Sequence, residues 1–459
     1  MHPDLRRGGQ QTPCHTPPSC STVWPTTTSR PLTNLTSLFS RSGRLDNDLG
    51  SLKTGCCVIG PDALTRLISV SDVSEPEAGA DVAGPVALRL EGFLADWRSD
   101  ETVVGVAVEP GVQFLEKGRF GVHCNFDFVL TGLTDRTLEL VFVKVAVYDA
   151  DNRLVTYRYL NRNAVGPSGV ETVVATRIDG RATVGLFNPF HSFPVDIPMH
   201  RLRFMFTFRD MESGEQFHYG DVVVNPVVYE QSVELELPVR GLVTVLDGHD
   251  YFSHHRRFDM CIARPATRGA MQSNFARYAL DFVHIGGDGN TRPVPPQERK
   301  ANFDFRFPDA RRFYSHGEAV YAPSGGEVVI AIDDQPDLYE VPFDLEEAVD
   351  HNTVRDLAGN YVVIRHNDCE YSHLFHLRHG SLEVEAGQSI DTGDLLGQIG
   401  FSGAATVYTH LHFQLMDGPD FLTANPLPAS FHKAVLVQGD QLEELTDVTL
   451  DTADTIWNP

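Results

Sequence analysis

The residues best suited to chemistry lie near the C-terminal end, where Thr409-His410-Leu411-His412-Phe413-Gln414 follows a glycine-rich turn, Gly400-Phe401-Ser402-Gly403. The run is apolar and strand-like. In a strand, residues i and i+2 face the same side, so His410 and His412 are expected to project two imidazoles into one space. Paired imidazoles with no acid beside them in sequence are costly to bury unless something binds between them, and a metal ion or its water is the usual occupant. Histidines also concentrate upstream, at His249, His254, His255, His284, His316, His351, His366, His373, His376 and His379. They supply the remaining candidates for a ligand set or a proton-transfer group.

Composition narrows the chemistry further. The chain has 459 residues, a net charge of −25 and 42% hydrophobic residues. That length predicts two to three domains, and the apolar share suffices for packed cores. The negative charge excludes a nucleic-acid binder, which needs a basic surface to neutralise phosphates. No uninterrupted apolar run of about 18 residues predicts a membrane-spanning helix. The cysteines at 14, 20, 56, 57, 124, 261 and 369 lack Cys-x-x-Cys spacing, so neither a structural zinc knot nor a disulfide framework is indicated, and Cys261 and Cys369 read as buried thiols. No Gly-x-Ser-x-Gly elbow is present for serine hydrolase chemistry.

The elements that must position these residues are strands. Residues 1–85 are rich in Ser, Thr, Pro and Arg and are expected to be low-complexity and largely disordered. From 86 to 238, β-branched and aromatic runs such as Leu138–Tyr148 and Leu202–Phe208 alternate with Gly, Asp and Asn turns. An immunoglobulin-like β-sandwich acting as an accessory domain is expected there. From 239 to 435 the strands continue with recurrent turn glycines, notably Gly387, Gly393, Gly397 and Gly400. Residues 436–459 read as an acidic C-terminal tail. The predicted class is therefore all-β, with an N-terminal sandwich and a C-terminal antiparallel domain.

Within that second domain, five blocks occur in a recognisable order. They are Tyr278-Ala-Leu-Asp281-Phe282, Gly317-Glu-Ala-Val320-Tyr-Ala-Pro323-Ser-Gly-Gly326-Glu-Val-Val329, Gly359-Asn360-Tyr361 through Tyr371–Leu377, the glycine hairpin Gly387–Gly403, and His410-Leu-His412-Phe. Residues 241–431 resemble the lysostaphin/LytM/β-lytic family of zinc metallopeptidases, which cut peptide cross-links in bacterial cell walls. The resemblance implies a duplicated-hybrid (barrel-sandwich-like) antiparallel domain and a bound Zn2+. It also implies ligands at Asp281 and His412, catalytic roles for His410 as the base and His376 as the oxyanion stabiliser, and a peptidoglycan peptide as substrate.

At one position the sequence departs from the family. The commonest pattern, His-x-x-x-Asp, places a ligand at position 277, which is Arg277 here, and a guanidinium cannot ligate zinc. Relatives of the β-lytic branch place that histidine upstream in a separate loop. Ser253-His254-His255-Arg256-Arg257 resembles that loop, making His255 the expected ligand and His254 its neighbouring alternative. His373 is the alternative to His376, and His379 is expected to be exposed. Three protein ligands and an open position for water constitute a catalytic zinc site.

The leading expectation is a zinc metalloendopeptidase hydrolysing peptidoglycan cross-links outside the cytoplasm, although no signal peptide is readable in the sequence. The alternative is a catalytically degenerate relative that binds the wall or activates another hydrolase. The Gly387–Gly400 turns also resemble biotinyl or lipoyl carrier hairpins, but those need an exposed modified lysine, and neither Lys300 nor Lys433 falls within those turns.

Overall fold

The computed structural model describes residues 99–119, 121–162, 176–293, 309–340, 343–405 and 408–459. The low-complexity stretch expected at 1–85 lies outside the described residues. Strands dominate the described residues, as the sequence pattern predicts, and the α-helices among them are short, at Met260–Ala266 and Leu345–Asp350.

An 11-stranded antiparallel sheet organises the C-terminal half. From one edge its path runs through Ser389–Ile390, Gly326–Ile332, Asn360–Arg365, Tyr371–Leu377, Leu411–Met416, Leu280–His284, Gly241–Asp247, Thr455–Asn458, Phe431–Gln438 and Gln441–Val448, with the eleventh strand, Pro426–Leu427, pairing off this path with Leu411–Met416. The acidic segment expected as a tail instead continues this sheet, because Leu436 and Ile456 pair across it and both are buried in its core. The exposed edge strand Gln441–Val448 carries Glu443, Glu444 and Asp447, and such charges discourage edge-to-edge association.

The two central strands show why the sequence folds this way. Every residue of Leu411–Met416 and of Leu280–His284 is buried. Leu411, Phe413 and Leu415 join Leu280 and Phe282 in the apolar core on one face. A two-stranded sheet of Ala319–Tyr321 and Leu395–Gln398 contributes Val320 and Leu396 to the same core. Side-chain alternation therefore leaves Asp281, His412 and Gln414 on the opposite face. Burying each large apolar side chain is worth about 1.5–3 kcal/mol. A one-residue slip would exchange Phe413 for His412 in the core, so the apolar face fixes the register of the polar one.

Three antiparallel or mixed sheets form the N-terminal part of the described chain. They share a core rich in aromatics, including Phe126, Phe128, Phe204, Phe206 and Phe208, with the Phe128 and Phe204 rings 4.9 Å apart. The all-β reading holds, but three sheets enclose this core where an immunoglobulin-like sandwich has two. The third consists of short strands, including a parallel pairing of Val227–Val228 with Phe114–Leu115. Strands this short carry little periodicity in the sequence. Cys124 and Cys261 are free thiols. Cys369 is disulfide-bonded, contrary to the free thiol expected. No helix among the described residues is long and apolar enough to cross a membrane.

Candidate functional site

Strand register alone brings the first two polar residues together: Asp281 pairs directly with His412 across the sheet. Phe375, on the other neighbouring strand, also pairs with His412, and its ring stacks on the imidazole at 5.2 Å. That contact fixes the imidazole plane. His412 Nδ1 lies 3.1 Å from Asp281 Oδ1. Its Nε2 lies 3.0 Å from Gln414 Oε1, while the Gln414 amide nitrogen is turned toward Met416 Sδ. A carbonyl oxygen only accepts, so His412 Nε2 carries the proton and donates it. In the neutral ring, Nδ1 then presents a lone pair to a carboxylate oxygen, an arrangement that calls for a cation or proton between them.

His255 reaches the same carboxylate from an irregular loop. Its Nε2 lies 3.6 Å from Asp281 Oδ2, its backbone nitrogen donates to Ser253 Oγ, and its carbonyl accepts from Asn274 Nδ2. One donor atom from each of His255, Asp281 and His412 lies within 4.8 Å of the others. Ligands at about 2.0–2.2 Å from a tetrahedral zinc stand roughly 3.3–3.6 Å apart, so this spacing suits an ion held among them. The alternative His254 turns away. Its Nδ1 pairs with Asp247 Oδ2 at 2.8 Å, and its side chain is 64% exposed.

The charge states suit ligation as well. Burial pushes the His255 imidazole down to about 3, against the attraction of Asp281, so the ring is neutral with a lone pair available. Burial alone would raise the Asp281 carboxyl, but His255, His410 and His412 override it and hold it well below its ordinary value. A carboxylate anion beside the neutral His255 imidazole belongs to the donor set a divalent ion requires.

His410 stands just ahead of its strand rather than within it, yet it faces the same space. Its Nδ1 donates to the Tyr408 carbonyl at 3.1 Å, which leaves the Nε2 lone pair 3.4 Å from Asp281 Oδ2. Burial lowers its basicity, opposed by Asp281. His376 and His410 have ring centroids 4.8 Å apart, and His376, His410 and His412 also bring donor atoms within 4.8 Å of one another.

His376 arrives through a backbone irregularity. Its φ is +62°, in a left-handed region that non-glycine residues adopt at a cost of about 1–3 kcal/mol. The pairing register shifts between Asn360 and Val362 on the neighbouring strand. Leu374 and Leu377 consequently both enter the apolar core, while Phe375 and His376 both face the histidine cluster. Plain alternation would have aimed His376 the other way. His376 Nδ1 donates to the Ser402 carbonyl at 2.9 Å. Two interlocked glycines allow that contact. A Cβ on Gly403, at φ +65°, would stand 2.3 Å from the Gly359 nitrogen, and one on Gly359 would stand 2.3 Å from Ser402 Oγ. Burial holds His376 well below its ordinary value, reinforced by His410 and His412.

The other histidine candidate, His373, lies outside the cluster, where its Nε2 donates to the Gly418 carbonyl. His379 is exposed. Asn360 braces the neighbouring backbone through Leu377 and Gln335.

Sequence reasoning did not anticipate Gln414, Tyr408 or Asp247. The Tyr408 hydroxyl lies 3.0 Å from Asp281 Oδ2 and 3.3 Å from Asp247 Oδ2, so its single hydrogen is shared between two carboxylates. Gln414 was within reach of sequence reasoning, being two residues from His412 on the same strand face. Asp247 lies on a separate strand, and no local pattern links it to Asp281.

Residues 311–422 match Peptidase family M23. The matched segment contains His376, His410 and His412, while His255 and Asp281 precede it. No curated protein matches the chain. Among solved structures, the chain is similar to the catalytic domain of the antimicrobial peptidase lysostaphin from Staphylococcus simulans. The identity is 21% over 26% of this chain and 81% of that one, with a TM-score of 0.18. It is also similar to a zinc-containing peptidase from Vibrio cholerae, at 15% identity over 55% of this chain and 86% of that one, with a TM-score of 0.17.

Proposed function

We propose that this chain, which carries a Peptidase family M23 segment at residues 311–422, is a zinc-dependent endopeptidase that hydrolyses peptide cross-links of bacterial cell-wall peptidoglycan outside the cytoplasm. The observation that carries the reading is the convergence of His255, Asp281 and His412 on one ion-sized space, with His376 and His410 alongside. His255 Nε2, Asp281 and His412 Nδ1 would hold the ion. Bound there, zinc would polarise a peptide carbonyl and acidify a water molecule.

The chain's own groups handle the protons. His410 Nδ1 is committed to the Tyr408 carbonyl, so its Nε2 accepts a proton from the attacking water. His376 Nδ1 is committed to Ser402, so its Nε2 likewise begins as an acceptor. His376 can donate to a developing oxyanion only after taking up a proton, and the adjacent His410 ring is the nearest source. The two imidazoles thus act as a relay: His410 receives the proton of the water and passes it to His376, which donates it as a hydrogen bond to the oxyanion and then releases it to the leaving amine. Phe375 and Gln414 keep His412 in the orientation and tautomer that ligation needs.

The test combines metal analysis with peptidoglycan digestion. Purified protein is expected to carry about one zinc per chain, to release new amino termini from peptidoglycan, and to lose both properties in His412→Ala. Wild-type protein that binds zinc without cleaving would favour the degenerate wall-binding alternative. Protein that takes up no metal would overturn the reading.

A further inference from the structure

We propose that Asp127, in the N-terminal part of the chain, is a positioning residue for metal ligand His255, acting through Arg256 and Arg277. This inference rests on the metal-site reading above and assigns the N-terminal β region a part in it.

His255 is the one candidate ligand delivered by an irregular loop instead of a sheet strand. Backbone pairing therefore does not set its place. Arg256, the next residue, is wholly buried, and each nitrogen of its fork is used. Nε donates to Asn125 Oδ1 at 3.0 Å, Nη1 to Asp127 Oδ1 at 2.8 Å and Nη2 to the Phe126 carbonyl at 2.9 Å. The second Asp127 oxygen accepts from Arg277 Nη1 at 2.8 Å. Arg277, four residues before Asp281, is buried too. One carboxylate thus ties together the segments that carry two of the three candidate ligands.

The other end of the loop is held by the same region. Asn125 Nδ2 donates to the His249 carbonyl at 3.0 Å, and His249 Nδ1 pairs with Glu116 Oε1 at 2.5 Å. Residues 116–127 therefore grip the His255 loop before and after the ligand. Anchoring Arg256 fixes a Cα about 3.8 Å from that of His255. A ligand constellation must be held to about 0.5 Å to function. Buried ion pairs are poor stabilisers relative to apolar packing, whereas a three-point guanidinium clamp sets position well. Arg277 stands where the commonest relatives carry a ligand. Here its side chain turns to Asp127 while His255 fills the space beside Asp281.

Full-length, metal-stripped protein separates positioning from general stabilisation, with cobalt(II) as the probe. Cobalt is titrated by its visible absorption, and backbone hydrogen exchange over residues 249–257 is followed in the metal-free state. Asp127→Asn is expected to weaken cobalt binding about 10- to 100-fold, alter the absorption bands, and speed exchange in that loop while strands 411–416 and 280–284 stay protected. Arg256→Lys keeps the charge opposite Asp127 but loses the fork. It is expected to do the same, and it serves if Asp127→Asn does not fold. Asp135→Asn, at an exposed ion pair with Arg181, should leave every readout at the wild-type value. A folded Asp127 or Arg256 variant with wild-type cobalt affinity and loop exchange overturns this proposal alone. Wild-type protein that takes up no cobalt overturns the metal-site reading, and this proposal with it.

Discussion

Gln414 Oε1 accepts the Nε2 hydrogen of His412 at 3.0 Å, two residues along the same strand face. The contact settles which imidazole nitrogen faces Asp281. Substituting Gln414→Leu preserves bulk but leaves that hydrogen unpaired in a buried site. Metal affinity is expected to fall about 10- to 100-fold, measured by competition with a chromophoric chelator. Unchanged affinity would show that Phe375 stacking alone orients the ring.

His376 lies outside the proposed ligand set, so its removal should separate chemistry from metal binding. His376→Ala is expected to retain wild-type zinc content while kcat falls by about 10²- to 10⁴-fold, read from amino termini released at saturating substrate. Loss of zinc in step with activity would make His376 a ligand.

Gly403 tests the support behind His376. At φ +65°, with the Gly359 nitrogen 2.3 Å from any added Cβ, Gly403→Ala must push the 401–403 turn away. Destabilisation of about 1–3 kcal/mol is expected from backbone strain, seen as a lower urea midpoint. A drop in kcat should accompany it, because the Ser402 carbonyl no longer meets His376 Nδ1. A variant as stable and active as wild type would show that the two turns are not locked.

Buried His373 gives the protein a predictable acid sensitivity. Burial pushes its imidazole down to about 4, below the unfolded value of 6.5. Above pH 6.5 both states are neutral and the group contributes nothing to the pH dependence. As pH falls below 6.5, the unfolded chain binds a proton that the folded chain refuses, and stability declines until about pH 4. At about 1.36 kcal/mol per pH unit, the loss is roughly 3 kcal/mol. His373→Gln can still donate to Gly418 but does not titrate. Denaturant melts of the two proteins from pH 7 to 4 should therefore diverge by that amount, with the variant less acid-sensitive. Parallel curves would show that His373 is protonated in the fold.

Local sequence was enough to place strands and to mark His410 and His412, because period-two alternation and apolar neighbours act over a few residues, whereas Asp281 was legible only through the family resemblance of the Tyr278–Phe282 block. The same reasoning predicted a two-sheet sandwich at the N-terminus and a tail at the C-terminus. Both differ in the structure, because the edges of sheets are decided by pairing between distant segments such as Leu436 and Ile456.

The amino-acid order by itself determined which side chains carry lone pairs and which strand faces are apolar, and so the register that sets Asp281 against His412. Tertiary structure alone brought His255 rather than His254, and His376 rather than His373, beside Asp281, His410 and His412. Those choices depend on a bulge at φ +62° and on a loop held from residues 116–127. A strand repeats its own pattern, whereas a bulge or a clamped loop is defined by contacts with residues up to 133 positions away.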